Sequence, residues 1–319
     1  MERIRLTNEE FEGENSVYWF DGERTVLVDT GVATPAVEDE LRSALDRHGV
    51  AVADLDAIVL THWHADHAGL AGTFQRESGA SVHVHAADAP LVADERAWES
   101  YGEILRERFA EWGMPEDRRD EPLSVIESDV FGERADVTPY EDGDRLQFGD
   151  LTLRVLHTPG HTAGSSCLEV EDTGEVLSGD ALLPTYTPNV GGADVRVEDP
   201  LGTYLASLSR IEEAGFERAY PGHRDPIDDP AGRAREIAAH HHERTERVLE
   251  SLARIEPADA WAVSADLFGS LSGIHVMHGP GEAFAHLDHL DRTGSVERTE
   301  NGYVRTDGSD SALSGSAGG

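Results

Sequence analysis

A chain of 319 residues is longer than one hydrophobic core usually serves, so two domains are expected. Hydrophobic residues make up 39% of it, enough for an ordinary core, while 63 acidic against 26 basic side chains leave a formal charge of -37 with no lysine present. No window approaches the run of ~20 apolar residues that a membrane span needs, and a lone cysteine, Cys167, excludes both an intramolecular disulfide and a multi-cysteine zinc ribbon.

The opening, MERIRLTNEEFEGEN, has no apolar region behind its charges, so no secretory leader is expected and the expected compartment is the cytoplasm. Ser16 to Phe20 and Arg24 to Asp29 flank an Asp21–Gly22 turn and read as a hairpin. Val37, Leu41, Ala44 and Leu45 form a helical stripe within Val37 to His48. Leu55 to Leu60 and Ser81 to His85 are short strands. Residues 88–121 carry Trp98, Tyr101, Ile104, Leu105, Phe109 and Trp112 at mixed helical spacing, a helical insert that serves either as a packed cap or as a substrate lid. Strands return at Asp150 to Leu156, Ser166 to Val170 and Val176 to Leu177, and Tyr204 to Glu213 is an amphipathic helix. Cys167 is expected to be a small buried strand residue. This order points to two sheets covered by helices, an α/β sandwich.

Composition changes after Pro230. Ala231 to Ile255, Asp259 to Phe268 and Gly281 to Asp291 read as helices. Ser295 to Arg298 and Tyr303 to Thr306 read as strands joined through Asn301–Gly302. The expected division is a catalytic domain over 1–230, a small winged-helix-like domain over 231–306 and a disordered Gly/Ser-rich tail over 307–319.

The acidic excess resembles that of proteins from extreme halophiles. At ~1 M salt the Debye length is only ~3 Å, so the self-repulsion of such a surface is screened. The surface charge is therefore not read as a functional patch.

Chemistry concentrates in Thr61 to Gly69, THWHADHAG. His62 and His64 stand two apart where the chain leaves a strand, so both imidazoles point the same way. Asp66 and His67 follow at the opening of a helix. Imidazole and carboxylate suit zinc and related divalent metals. Three further segments each end a strand-like stretch: His157-Thr-Pro-Gly-His161, Ser178-Gly-Asp180 and Tyr220-Pro-Gly-His223. Each alone is a weak signal; their value is joint, because strand-end loops are where a rigid scaffold places functional groups.

The order Asp29, His62-x-His64-x-Asp66-His67, His161, Asp180, His223 resembles the five-motif pattern of the metallo-β-lactamase superfamily, over about Ser16 to His223. The resemblance implies a four-layer αβ/βα sandwich with two divalent ions at one edge, zinc first, with manganese or iron also acceptable to these ligands. It implies that His62, His64 and His161 hold the first ion and Asp66, His67 and His223 the second, with Asp180 bridging. Asp66 and Asp29 are the candidate catalytic carboxylates, Asp29 orienting a ligand rather than binding metal. β-Lactam cleavage is not expected: β-lactamases of this fold with a cysteine ligand in the second site would need a thiol where Asp180 stands, and Cys167 does not take that place.

A water between two such ions would lose its proton near neutral pH and attack a carbonyl or phosphorus centre. The motifs look most like glyoxalase II-type thioester hydrolases, so the expected function is hydrolysis of a small ester, thioester or lactone. The C-terminal pattern resembles superfamily hydrolases with a winged-helix module, some of which cleave single-stranded RNA; a mononuclear iron persulfide dioxygenase is the other alternative. Gly281 to Arg292 offers one Arg against three carboxylates, so nucleic acid is not the expected partner. Dimerisation or pocket closure is the expected role of that module. His240, His241 and His242 are adjacent on a helix and point in different directions, so they are not expected to share one metal.

Overall fold

The computed structural model describes residues 1–8, 13–126 and 129–306; the expected disordered tail lies outside the described residues. A six-stranded sheet runs in sequence order through β1 (Glu2–Thr7), β2 (Glu14–Asp21), β3 (Thr25–Val28), β4 (Ala57–Val59), β5 (Ser81–His85) and β6 (Val137–Tyr140). The first three strands are antiparallel, and β3 to β6 are parallel. A five-stranded sheet comprises β7 (Arg145–Phe148), β8 (Leu151–His157), β9 (Ser166–Val170), β10 (Glu175–Gly179) and β11 (Arg218–Pro221), with only the β10–β11 pair parallel.

Strand alternation sets the layers. Val26, Val28, Ala57 and Val59 face Leu153, Val155, Leu168 and Leu177 across the space between the sheets. Their neighbours Leu27 and Ile58 face outward against the helix carrying Val37, Leu41 and Leu45. On the other outer face, Cys167 and Val176 pack with Tyr204, Leu208 and Ile237. Helix, sheet, sheet, helix is the expected four-layer sandwich, and Cys167 is buried in it, its thiol pushed up to about 12 by burial.

The helices are α1 (Pro35–Arg47), α2 (Ala65–Ala68), α3 (Ala71–Ser78), α4 (Ala89–Ala93), α5 (Glu95–Glu111), α6 (Asp120–Ile126), α7 (Pro200–Ala214), α8 (Pro230–Ile255), α9 (Ala260–Phe268) and α10 (His275–Arg292). The expected stripe Val37, Leu41, Ala44, Leu45 is the buried set of α1. In the insert, Tyr101, Leu105, Phe109 and Trp112 are buried; Phe109 lies against Trp112, and Trp112 and Arg108 lie against Phe284 of α10. Full burial of a Leu or Phe contributes roughly 1.5–3 kcal/mol. One continuous apolar cluster runs from β1 through α1 and the insert into α8, α9 and α10.

Three details differ from the expected elements. β1, β6 and β7 are additional strands at sheet edges: β1 alternates through Ile4 and Leu6 and β7 through Leu146 and Phe148, each over a short stretch, while β6 (VTPY) has no alternation. α10 begins six residues before Gly281 and contains Pro280, a residue that reads as a helix stop because it lacks a backbone N–H. The last hairpin, β12 (Val296–Thr299) and β13 (Gly302–Arg305), pairs Thr299 with Gly302, so its turn is Glu300–Asn301, one residue earlier than expected. Gly302 sits at φ 114°, and a Cβ there would lie 2.5 Å from the Ala258 carbonyl carbon, which packs against the hairpin. No helix among the described residues is long and apolar enough to cross a membrane.

Candidate metal centre

All the strand ends that carry the sequence motifs meet at one edge of the sandwich. β3 ends at Asp29, a non-glycine residue at φ 62°. That left-handed conformation is uncommon outside glycine, although Asp tolerates it better than most. Here it is held by three bonds to one carboxylate. Oδ1 accepts from the Thr61 amide at 2.8 Å, and Oδ2 accepts from Thr61 Oγ1 at 2.9 Å and from His67 Nδ1 at 2.8 Å. Asp29 thus lies behind His67 and positions it, along with the start of the His62–His67 segment.

Hydrogen bonds on the far side of each imidazole decide which nitrogen is left bare. Thr61 Oγ1 gives its one proton to Asp29, so toward His62 it accepts, from Nδ1 at 3.1 Å. His161 Nδ1 donates to the Asn189 carbonyl at 2.9 Å, His223 Nδ1 to the Glu14 carbonyl at 2.7 Å and His64 Nε2 to the Ala193 carbonyl at 3.0 Å. Carbonyls and carboxylates only accept, so each ring carries its proton outward. Five inward nitrogens therefore converge: His62, His67, His161 and His223 through Nε2, and His64 through Nδ1. His62 Nε2 and His161 Nε2 both lie 3.0 Å from His64 Nδ1. With the ring protons committed elsewhere, these are lone pairs facing lone pairs, an arrangement that a shared cation stabilises.

The carboxylates complete the set. Asp180 Oδ1 lies 3.5 Å from His67 Nε2, and its Oδ2 lies 3.3 Å from His223 Nε2 and 3.7 Å from His161 Nε2. Asp66 Oδ2 lies 3.3 Å from His223 Nε2 and 3.9 Å from His67 Nε2. Among the described residues, His67 Nε2, His223 Nε2 and Asp180 Oδ1 are buried without a hydrogen-bond partner. Ligand atoms of His62, His64 and His161 fall within 4.8 Å of one another, as do those of Asp66, His67 and His223, and those of His62, His67 and Asp180. The donor set fits two divalent ions, with Asp180 between the groups. The spacing also depends on Gly222, where a Cβ would lie 2.4 Å from Asp180 Oδ1 and 2.5 Å from His67 Cε1.

Without an ion the carboxylates favour a proton at the inward nitrogens of His67 and His223, the same positions a divalent cation would take in its place. Burial disfavours charge on His67, yet Asp180, Asp66 and Asp29 outweigh it and raise its pKa to about 10; His223 is raised by Asp180 and Asp66 in the same way. Burial opposes ionisation of Asp66 and Asp180 too, but the facing imidazoles hold both well below the ordinary carboxylate range. His64, buried and next to His161 rather than beside a close carboxylate, is pushed down to about 3. Buried anions that no Arg faces call for a cation.

Several supporting residues carry no motif and were not legible in the sequence. Asn8 and Asn15 each donate to Asp66 Oδ2 at 3.3 Å. Arg196 bridges Asp88 at 2.7 Å and Asp194 at 2.6 Å, all three buried or nearly so. Asp88 in turn accepts from Thr162 Oγ1 and the Gly164 amide, and Asp194 from Trp63 Nε1 and the Ala163 amide. This network ties the loop of His62 and His64 to that of His161. Ser165 Oγ is spent on Thr162 and is not a nucleophile.

A profile of the "Metallo-beta-lactamase superfamily" matches residues 11–223. The chain belongs to that superfamily. The metallo-beta-lactamase family protein TTHA1429 from Thermus thermophilus is 32% identical with a TM-score of 0.83, covering 96% of this chain and 98% of that one. The probable metallo-hydrolase YqjP of Bacillus subtilis (strain 168) is 28% identical over 291 residues, 89% of this chain and 90% of its own length. The acyl-coenzyme A thioesterase MBLAC2 of Bos taurus is 28% identical over 216 residues, 63% of this chain and 69% of its own. As a superfamily metallo-hydrolase, the chain has its His/Asp clusters where the fold brings the ends of both sheets together. Coverage of the first two relatives extends past residue 223, so the C-terminal helices are shared with them. Those helices press on the centre from outside: Asn189 Nδ2 donates to the His278 carbonyl at 3.1 Å, beside the carbonyls that orient His161 and His64.

Proposed function

We propose that this metallo-hydrolase cleaves small thioesters, with other small esters and lactones as the neighbouring class. The observation that carries the reading is the convergence of five inward-facing imidazole nitrogens and two carboxylates on one buried edge. His62, His64 and His161 would hold one divalent ion and Asp66, His67 and His223 the other, with Asp180 shared. Such ions supply Lewis acidity toward a carbonyl and bring the pKa of water to near 7. Asp66, a candidate catalytic carboxylate, is steadied by Asn8 and Asn15 in the orientation that faces His223 and His67. Asp29 holds His67 in one tautomer. The half-buried His278, whose pKa is pushed to about 3 by burial and then by His275, His64 and His161, stands next to the centre as an uncharged polar contact for substrate.

The thioester choice is supported by the glyoxalase II-like motif order and by the acyl-coenzyme A thioesterase among the relatives. A net charge of -37 supports a small-molecule substrate over nucleic acid, and supports assays in molar salt. The test is metal analysis of protein purified in high salt, paired with turnover of acyl-coenzyme A and glutathione thioesters, lactones and short single-stranded RNA. Thioester turnover with at least two metals per chain is the expected result. RNA cleavage alone, or one iron per chain with oxygen consumption and no hydrolysis, would overturn it.

A further inference from the structure

A second cluster of metal-type ligands lies between two helices of the C-terminal region, apart from the seven residues above. His241 of α8 and Glu282 and His286 of α10 bring ligand atoms within 4.8 Å of one another. Both histidines are buried, at 1% exposure each. His241 has no hydrogen-bond partner for either ring nitrogen among the described residues, and His286 has none for Nε2. A buried polar atom left without a partner costs about 1–3 kcal/mol, so three together call for an occupant.

The tautomer of His286 can be derived. Thr245 Oγ1 donates its single proton to the His241 carbonyl at 2.9 Å, so toward His286 Nδ1, 2.8 Å away, it can only accept. His286 therefore carries its proton on Nδ1 and presents a bare lone pair at Nε2. The same outward anchoring of one ring nitrogen prepares the histidines of the catalytic edge. Burial first, then the neighbouring Arg244, keeps His241 unprotonated down to about 3. Glu282 keeps 12% side-chain exposure and gives Oε1 to Arg244, which fixes the carboxylate and leaves an edge through which an ion can enter. Glu282 and His286 stand four apart on α10, on one helical face.

We propose that His241, Glu282 and His286 form a further site for one divalent ion of the zinc type, clamping α8 to α10. Two neutral imidazoles and a carboxylate are a zinc-compatible set with a fourth position for water. Arg244 opposes a second positive charge nearby, so the site binds more weakly than the catalytic edge and is the first to be emptied by a chelator. A water in place of the ion is the rival occupant, and it makes a different prediction.

The test counts zinc in the full-length protein after chelator treatment and reloading, comparing wild type with His241→Gln/His286→Gln. The double variant is expected to hold about one zinc fewer per chain. The difference is read rather than the total, so a failure of the catalytic reading leaves this result interpretable. Cobalt(II) added to wild type should give visible absorption that the double variant lacks in part. Should the double variant not fold, Glu282→Gln, at the half-open edge, carries the same count and the same absorption test. Equal zinc counts and unchanged cobalt absorption in the folded variant would overturn the site and leave a water-filled polar network.

Discussion

The two histidine clusters solve one problem with different means. At the catalytic edge the ligands come from strand-end loops, and every imidazole is anchored on its far side by a carbonyl, a carboxylate or a threonine hydroxyl. Between α8 and α10 only His286 is anchored that way, and His241 is left bare at both nitrogens. Charge separates them further. The catalytic edge gathers Asp29, Asp66 and Asp180 with no Arg against them, whereas Glu282 already has Arg244. The first cluster demands a cation to be stable; the second accommodates one. Ligand identity alone would have ranked the two as equals, and it is the counter-charge that ranks them.

The largest effect that would break this ranking is at Asp180. Asp180→Ala should lower metal-dependent hydrolysis by at least about a hundredfold and release metal from the catalytic edge, read by steady-state rates and metal analysis. Full activity in that variant would remove Asp180 from its bridging place. Asp29→Asn comes next: it touches no metal but takes the acceptor from His67 Nδ1, and zinc affinity at the edge should weaken roughly 10–100-fold in a competition titration. A lowered melting temperature with unchanged zinc affinity would show that Asp29 serves the backbone turn alone.

A third variant probes the contact between α10 and the catalytic edge. Gly281→Ala would place a Cβ 2.2 Å from Gly192 Cα, overpacking that costs typically 1–3 kcal/mol. The melting temperature should fall, and zinc binding at the edge should weaken with it, because the 189–193 segment orients His161 and His64. The smallest effect is a baseline from a histidine outside both clusters. His85 stacks on His157 at 3.8 Å, and burial lowers its pKa from 6.5 to about 4. Between those values the unfolded chain binds more protons, so stability falls as pH drops from 6.5 toward 4 and is unaffected above. His85→Gln should flatten the acid limb of a stability–pH curve by up to about one proton.

How much was legible follows from where each residue sits. Thr61 to Gly69 compresses four ligands into six positions, so the catalytic edge was readable before any fold was known. The sandwich was readable because β3, β4 and β9 are buried on both faces and bounded by turns. β6 was not, because VTPY has no apolar alternation, and β7 was not because its alternation, Leu146 and Phe148, spans too few residues to stand out. The supports of the centre, Asn8, Asn15, Asp88, Asp194 and Arg196, are ordinary polar residues whose meaning is purely spatial. His241 lies in a visible HHH run, but adjacency on a helix sends its three rings apart, and its neighbours in space are on α10. Gly281 reads as a helix start because Pro280 precedes it; the helix runs on through both.

The backbone approach of Gly281 to Gly191 and Gly192 has a consequence for recombination. At that point, where neither side carries a side chain, main chain packs on main chain within a larger apolar and hydrogen-bonded interface. A chimaera that exchanges residues 231–306 between relatives would have to match there before any substrate preference could be transferred. Partners with a larger residue on either side would be sterically incompatible, however well their active-site motifs agreed. The C-terminal helices and the segment 189–193 would therefore have to be exchanged together as a fitted pair.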